Sequence, residues 1–265
     1  DWGNNLWTKK WKEDYNIEVI VDWVSSDYDT KLNLAIASGS IPDAFHCSAV
    51  QLHQLAQAGQ IQDLKDVYEK YASPGLRKMM ENNWDIVETG MFNGELLALP
   101  RLHYGYETLT SFMWARKDWM EGLGITELKT IEDLENLMGN FMTQYSADYG
   151  IMLNKDLRPF FQMSAAFHAY PTIWVEGPDG SIVYGATLPE MKNALAKWAE
   201  WYKKGYIRED FPTLDNAAMF QDAYNGKVGL FAEQNWASWY GEDMVNNLGP
   251  DTYFLPYNLP SVDGQ

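Results

Sequence analysis

The sequence predicts an α/β protein built in two lobes. Three observations carry that reading. At 265 residues the chain lies where a single core stops growing and a split into domains sets in. Strand-like apolar runs alternate with amphipathic helical patterns, which means an α/β lobe with a largely parallel sheet. Between residues 97 and 120 the chain also changes character. The apolar run Leu96, Leu97, Ala98, Leu99 stops at Pro100, which cannot donate to a sheet ladder. A polar and aromatic passage follows, with Arg101, His103, Tyr104, Tyr106, Glu107 and Thr108, before a second strand-like run at 109–115. Ligands favour such domain junctions, so this crossover is expected to wall a binding cleft.

Taken in order, residues 6–15 form a helix with Trp7 and Trp11 on one face, and 17–21 read as a strand by their β-branched content. Ser25, Ser26 and Asp27 offer N-cap chemistry to a helix that Gly39 ends. A short buried strand is expected at 44–46, a helix over 50–58 stopping at Gly59, and another after Ser73-Pro74. Asn93-Gly94 marks a tight hairpin over 91–96. Beyond the crossover, Thr130 and Asp133 form a capping box for a helix carrying Ile131, Leu134, Leu137, Met138 and Phe141. Residues 149–153 read as a buried strand, Arg158-Pro159 as a helix start, and Gly177-Pro178-Asp179-Gly180 as a second hairpin turn. Residues 189–204 form the clearest helix, with Pro189 at its start and Gly205 past its end. Its Trp198 and Tyr202 share the apolar stripe and are assigned to packing. A helix around Phe220 and Ala223 closes at Asn225-Gly226, a strand at 228–232 delivers Glu233, Gln234, Asn235 and Trp236, and 253–255 is a last strand.

Composition excludes several functions. The net charge is −17, from 20 Lys plus Arg against 37 Asp plus Glu. That argues against nucleic acid or an anionic membrane as partner, because either requires a basic patch. One cysteine, Cys47, permits no internal disulfide, which fits a cytosolic enzyme and an exported disulfide-free protein equally. No run reaches the roughly 18 apolar residues of a membrane span. With neither an initiator Met nor a signal peptide, the chain reads as a mature or trimmed one. No metal site is expected, since His46, Cys47 and His53 lack a further ligand at suitable spacing. No cofactor is expected either: G-x-S-x-G, P-loop and G-x-G-x-x-G motifs are absent from the sequence.

Six segments lie in the order of one known family: DYDTKLNLAIASGSIPDAF (27–45), AQAGQIQDL (56–64), FNGELLALP (92–100), WARKDWMEGLGI (114–125), YNGKVGLFAEQNWA (224–237) and LPSVDG (259–264). On these the chain resembles extracellular solute-binding proteins of the carbohydrate class, similar to the maltose/maltodextrin-binding protein. The resemblance implies a two-lobed periplasmic-binding-protein-like (type II) fold. Residues 1–105 would form lobe 1, 106–111 the hinge, 112–255 lobe 2, and 256–265 the start of a return crossover. Family members are longer, and their C-terminal portion completes lobe 1, so that portion is expected to be lacking here.

A sugar offers C–H faces for aromatic stacking and hydroxyls for polar pairing. Trp236, beside Asn235, matches the family's ligand-stacking Trp. Arg158 and Phe160 occupy a segment that in the family supplies an acid and an aromatic, with Arg here replacing the acid. His46 and Ser48 stand where family members present lobe-one polar contacts. Ser26 and Asp27 form a cleft-side turn that plain N-capping explains equally well. Tyr104, Tyr106 and Glu107 are the crossover candidates.

The expected function is therefore a non-enzymatic, monomeric substrate-binding component of an ABC importer. It would take a saccharide, an oligosaccharide above all, in the inter-lobe cleft and deliver it to permease subunits. It would be extracellular or periplasmic, meeting the membrane only through a lipid anchor outside this chain. The rivals are a binder of a peptide, polyamine or other small cation on the same fold, and a glycoside-active enzyme.

Overall fold

A computed structural model describes residues 3–25, 27–102 and 110–264. The chain divides into two units, Asp1–His103 and Tyr104–Gln265. The first is built from helices α1 (Leu6–Tyr15), α2 (Tyr28–Ser38), α3 (Ala49–Gln57), α4 (Lys65–Tyr71), α5 (Pro74–Glu81) and α6 (Trp84–Val87), with a hairpin of β1 (Met91–Phe92) and β2 (Glu95–Leu96). Local chemistry sets the helix ends. Asp27 accepts from the Thr30 amide at the start of α2, and Gly39 ends that helix at φ +69°, the left-handed conformation that costs glycine no Cβ clash. The hairpin turns through Asn93 (φ 51°) and Gly94 (φ 86°), as a two-residue turn with both central φ values positive requires. Met80, Val87 and Leu96 form a small core with Leu64, Leu76 and Leu102 packed against it.

Two expected strands of this unit do not form. Residues 17–21 and 44–46 are irregular, and Ile17, Ile20 and Val21 are exposed. Their β-branched content is a preference for a half-buried pleated surface, and among the described residues no strand lies alongside to provide one. The strand expected over 96–99 is likewise cut to β2. The amides of Leu97 and Ala98 both donate to Gly90 O, which turns the chain off the ladder.

The second unit contains β3 (Ser111–Arg116), α7 (Lys117–Leu123), α8 (Ile131–Gln144), α9 (Arg158–Met163), β4 (Trp174–Glu176), β5 (Ile182–Tyr184), α10 (Pro189–Lys203), α11 (Asn216–Tyr224), β6 (Leu230–Gln234), α12 (Gly241–Leu248) and β7 (Phe254–Tyr257). Its main sheet has the order β6-β3-β7, and both pairings are antiparallel. The largely parallel sheet expected from alternation is thus overturned: all strand pairs among the described residues are antiparallel, and parallel pairing is limited to a single bridge, Thr130 to Ser261. Alternation fixes strand direction only when each crossover is one short βαβ unit. The links from β3 to β6 run through several helices, so it does not apply here.

The sheet is buried on both faces. Met113, Ala115, Leu230 and Ala232 enter one core cluster with α8 and α10. Trp114 and Phe231, directly paired in register, enter the other with Met219, Phe220 and Met244. Burial on two sides explains why these strands read as continuous apolar runs. Residues 149–153 are buried as expected but form no strand. Gly150 and Ile151 donate to Tyr206 O and Met152 to Leu230 O, so their amides are satisfied irregularly. The terminal segment stays on this unit: Ser261 N donates to Lys129 O and Val262 N to Ala166 O.

Candidate functional site

A polar and aromatic constellation of the second unit lies where β6 ends and α9 begins. In a buried run reading VGLFAEQ, Glu233 is 1% exposed, and a carboxylate so placed must be paired. Its partner is Arg158. The guanidinium meets the carboxylate side-on, Nε donating to Oε2 at 2.6 Å and Nη2 to Oε1 at 3.2 Å, a two-point match that only Arg offers. The Gln234 amide adds a third donor to Glu233 Oε1 at 2.9 Å, and the Glu233 carbonyl accepts from Trp114 Nε1.

Arg158 is positioned by the turn before it. Asn154 accepts from the Leu157 amide through its carbonyl and from the Arg158 amide through Oδ1, at 3.0 Å. Leu157 is held at φ 54°, a left-handed conformation costly for a non-glycine residue. The buried Nδ2 of Asn154 has no hydrogen-bond partner among the described residues.

A 3-10 helix, Asn235–Tyr240, follows β6 and presents Trp236. The Arg158 guanidinium carbon lies 4.9 Å from the Trp236 ring centre, within cation–π range. The indole N–H donates to Gln234 Oε1 at 2.9 Å. Tyr240 stands edge-on to Trp236 with ring centres 5.7 Å apart, and its hydroxyl accepts from Asn216 Nδ2 at 3.3 Å. Burial pushes the Tyr240 hydroxyl pKa up, so it remains a neutral hydrogen-bonding group. Trp236 itself is only partly buried. The arrangement combines ring area, a fixed cation with its counter-charge, and neutral polar groups.

Other expected residues fall elsewhere. Phe160 is 2% exposed and meets Trp198 edge-on at 5.6 Å. It is a core residue without a ring face for a ligand, which corrects the expectation of a contact there; Trp198 is packed as expected. Asn235 is exposed at the start of the 3-10 helix. In the first unit, Asp27 is occupied as the N-cap of α2. Ser48 caps α3, accepting from Gln51 N while Gln51 Oε1 accepts from Ser48 N. It borders a hollow of about 590 Å³ together with Asp29, Asn33, Gln51 and Gln54. His46 is exposed, and its backbone N–H and carbonyl both bond the Tyr28 hydroxyl. Ser26, Tyr104, Tyr106 and Glu107 lie outside the described residues. A hollow of about 410 Å³ on the second unit, lined by Thr126, Leu128, Pro256 and Leu259 among others, contains none of the expected residues.

Sequence reasoning left out Glu233, Tyr240 and Asn154. Glu233 carried a readable signal, a lone charge inside an apolar strand. Tyr240 and Asn154 carried none, since their roles depend on which segments meet. Among the described residues, no group of three or more His, Cys, Asp or Glu could hold a metal ion, and no helix is long and apolar enough to cross a membrane.

Comparison with known proteins places this geometry in context. Residues 3–263 match the model of a family described as bacterial extracellular solute-binding protein. The chain is 33% identical over 271 aligned positions to the fructooligosaccharide ABC transporter substrate-binding protein FusA of Streptococcus pneumoniae, covering 93% of this chain and 48% of that protein. It is 23% identical to Lipoprotein LipO of Bacillus subtilis, covering 82% and 44%. The chain therefore spans about half the length of the curated relatives it matches. Among solved structures, FusA of S. pneumoniae in complex with kestose superposes with a TM-score of 0.73 at 23% identity, over 98% of this chain and 55% of that one. The alginate-binding protein AlgQ2 superposes with a TM-score of 0.78 at 16% identity, over 97% and 55%. These superpositions establish the type II binding-protein fold, and the extent of the family match makes the chain a member of the bacterial extracellular solute-binding protein family.

Proposed function

We propose that the chain acts as the extracytoplasmic substrate-binding component of an ABC importer, capturing a saccharide, in particular an oligosaccharide, by binding and not by catalysis. The observation that carries this reading is the partly exposed Trp236 ring, set by Arg158, Gln234 and Tyr240 among neutral polar groups. An indole face suits the C–H face of a sugar, and fixed amides, hydroxyls and a guanidinium suit its hydroxyl edge. FusA, named for fructooligosaccharide, supports the same ligand class. Permease subunits would receive the cargo, and lipid anchoring outside this chain would keep the protein at the cell surface, a reading that LipO's description as a lipoprotein supports. The cationic-ligand alternative is disfavoured because the carboxylate of this constellation, Glu233, is buried and already paired with Arg158.

A thermal-shift screen with a panel of neutral oligosaccharides tests this, because a ligand bound only by the native state raises apparent stability. At 100 times Kd, stabilisation of about 2.7 kcal/mol is expected. No shift with any saccharide would overturn the proposal.

A further inference from the structure

Building on that saccharide reading, we infer that Glu233 determines specificity by cancelling the charge of Arg158, so that the site takes uncharged sugars and rejects uronates. Arg158 is the cation at the Trp236 ring, and 39% of its side chain is exposed. An unpaired guanidinium there would bind a sugar carboxylate with the two-point geometry that Arg favours. Instead Glu233 already holds that position through Nε and Nη2.

A ligand carboxylate cannot easily displace it. The Glu233 side chain is 1% exposed and held by the Gln234 amide as well as by Arg158. Released from Arg158, it would remain a buried and uncompensated charge, which is strongly disfavoured. A uronate approaching Arg158 therefore meets a carboxylate that stays in place, and like charges brought together oppose binding. A neutral sugar meets no such opposition. The Nη1 edge, turned away from the carboxylate, suits a hydroxyl acceptor. Specificity is a difference between two affinities, and a fixed repulsive group sets that difference as effectively as an added contact.

The test is isothermal titration calorimetry on the full chain with two probes of equal length, a neutral fructo-oligosaccharide and an oligogalacturonate. The wild type should prefer the neutral probe by at least about tenfold. Glu233→Gln should lower that ratio at least about tenfold, chiefly through gained uronate affinity that falls as salt rises. The double variant Arg158→Gln/Glu233→Gln removes both charges and should restore the neutral preference, which loss of packing alone would not do. Should Glu233→Gln alone fail to fold, the wild-type ratio still tests the inference, since a preference for the uronate would refute it. A ratio unchanged in folded Glu233→Gln, or wild-type preference for the uronate, would overturn the role of Glu233 while leaving saccharide binding intact. Binding of neither probe by the wild type would overturn the saccharide reading and this inference with it.

Discussion

Gly229 sits immediately before β6, the strand that delivers the site, and replacing it with alanine should destabilise the second unit. A Cβ there would lie 2.5 Å from both Cε3 and Cζ3 of Trp119 and 2.9 Å from Cδ2 of Phe141. Carbon atoms in contact prefer about 3.5–4.0 Å, so a gap of about 1 Å must open. Trp119 is poorly placed to yield. Arg116 lies over its ring at 4.4 Å, Tyr145 stacks at 5.1 Å and Phe141 meets it edge-on at 5.0 Å. The backbone is also tied, because Arg116 N donates to Gly229 O at 3.0 Å. Overpacking a well-filled core costs about 1–3 kcal/mol, and with the ring enclosed from several sides about 2–3 kcal/mol is expected. At roughly 2–4 °C per kcal/mol for a body of this size, Tm should fall by about 4–12 °C. Thermal and urea unfolding followed by far-UV circular dichroism measures both. Gly241→Ala serves as the control, since nothing lies within 4 Å of its added Cβ, and it should be neutral or stabilising by about 0.4–1 kcal/mol. If Gly229→Ala changed stability by less than about 0.5 kcal/mol, the close packing argued for β6 and Trp119 would be wrong.

Trp236→Ala should cost saccharide affinity at least about tenfold, since aromatic contacts exceed plain area burial by about 0.5–1.5 kcal/mol, with little change in Tm; calorimetry and a melting curve separate the two effects. Asp222→Ala should destabilise by about 2–3 kcal/mol, somewhat below the usual cost of breaking a buried pair, because Arg208 keeps Asp210 at 2.6 Å while losing Asp222. Urea denaturation would show it, and an unchanged midpoint would refute it. Tyr149 would lose the carboxylate to which its hydroxyl donates at 2.8 Å. Burial, reinforced by that carboxylate, holds its pKa far above the ordinary phenol value. Glu135 supplies a pH dependence. Burial raises its pKa, but donors from Lys197, Trp201 and Lys204 outweigh this and hold it below the usual value. A depressed folded-state pKa contributes stability that is present above the unfolded value of about 4.3 and is lost as pH falls through the folded one. The penalty of Glu135→Gln should therefore be seen at pH 7 and vanish in acid; a penalty independent of pH would contradict this.

The legible parts of the fold were those written in short-range chemistry. The Thr130 and Asp133 side chains form the expected reciprocal cap, Asn93-Gly94 makes the hairpin turn, and α10 begins at Pro189 as its pattern requires. Each depends on residues a few positions apart, so each is readable without knowing what surrounds it. The strand expectation at 17–21 failed for the opposite reason. A strand exists only in company, and β-branched residues alone do not supply a neighbouring ladder. Strand direction in the main sheet was likewise misjudged, because a connection through several helices leaves either direction open.

The site divides in the same way. The sequence alone determined that Trp236 follows a buried strand, that Arg158 opens a helix, and that a chain of net charge −17 with a single cysteine has an excess of acidic residues and no internal disulfide. Tertiary structure alone decided that Arg158 and Glu233, 75 residues apart, form one ion pair, that Phe160 is enclosed while Trp236 keeps part of its ring open, and that Gly229 must lack a side chain. Hydrogen-bonded caps and turns are closed by neighbours along the chain. Charge pairing and ring exposure are fixed by whichever distant segments share a surface, and that is settled only when the whole core packs.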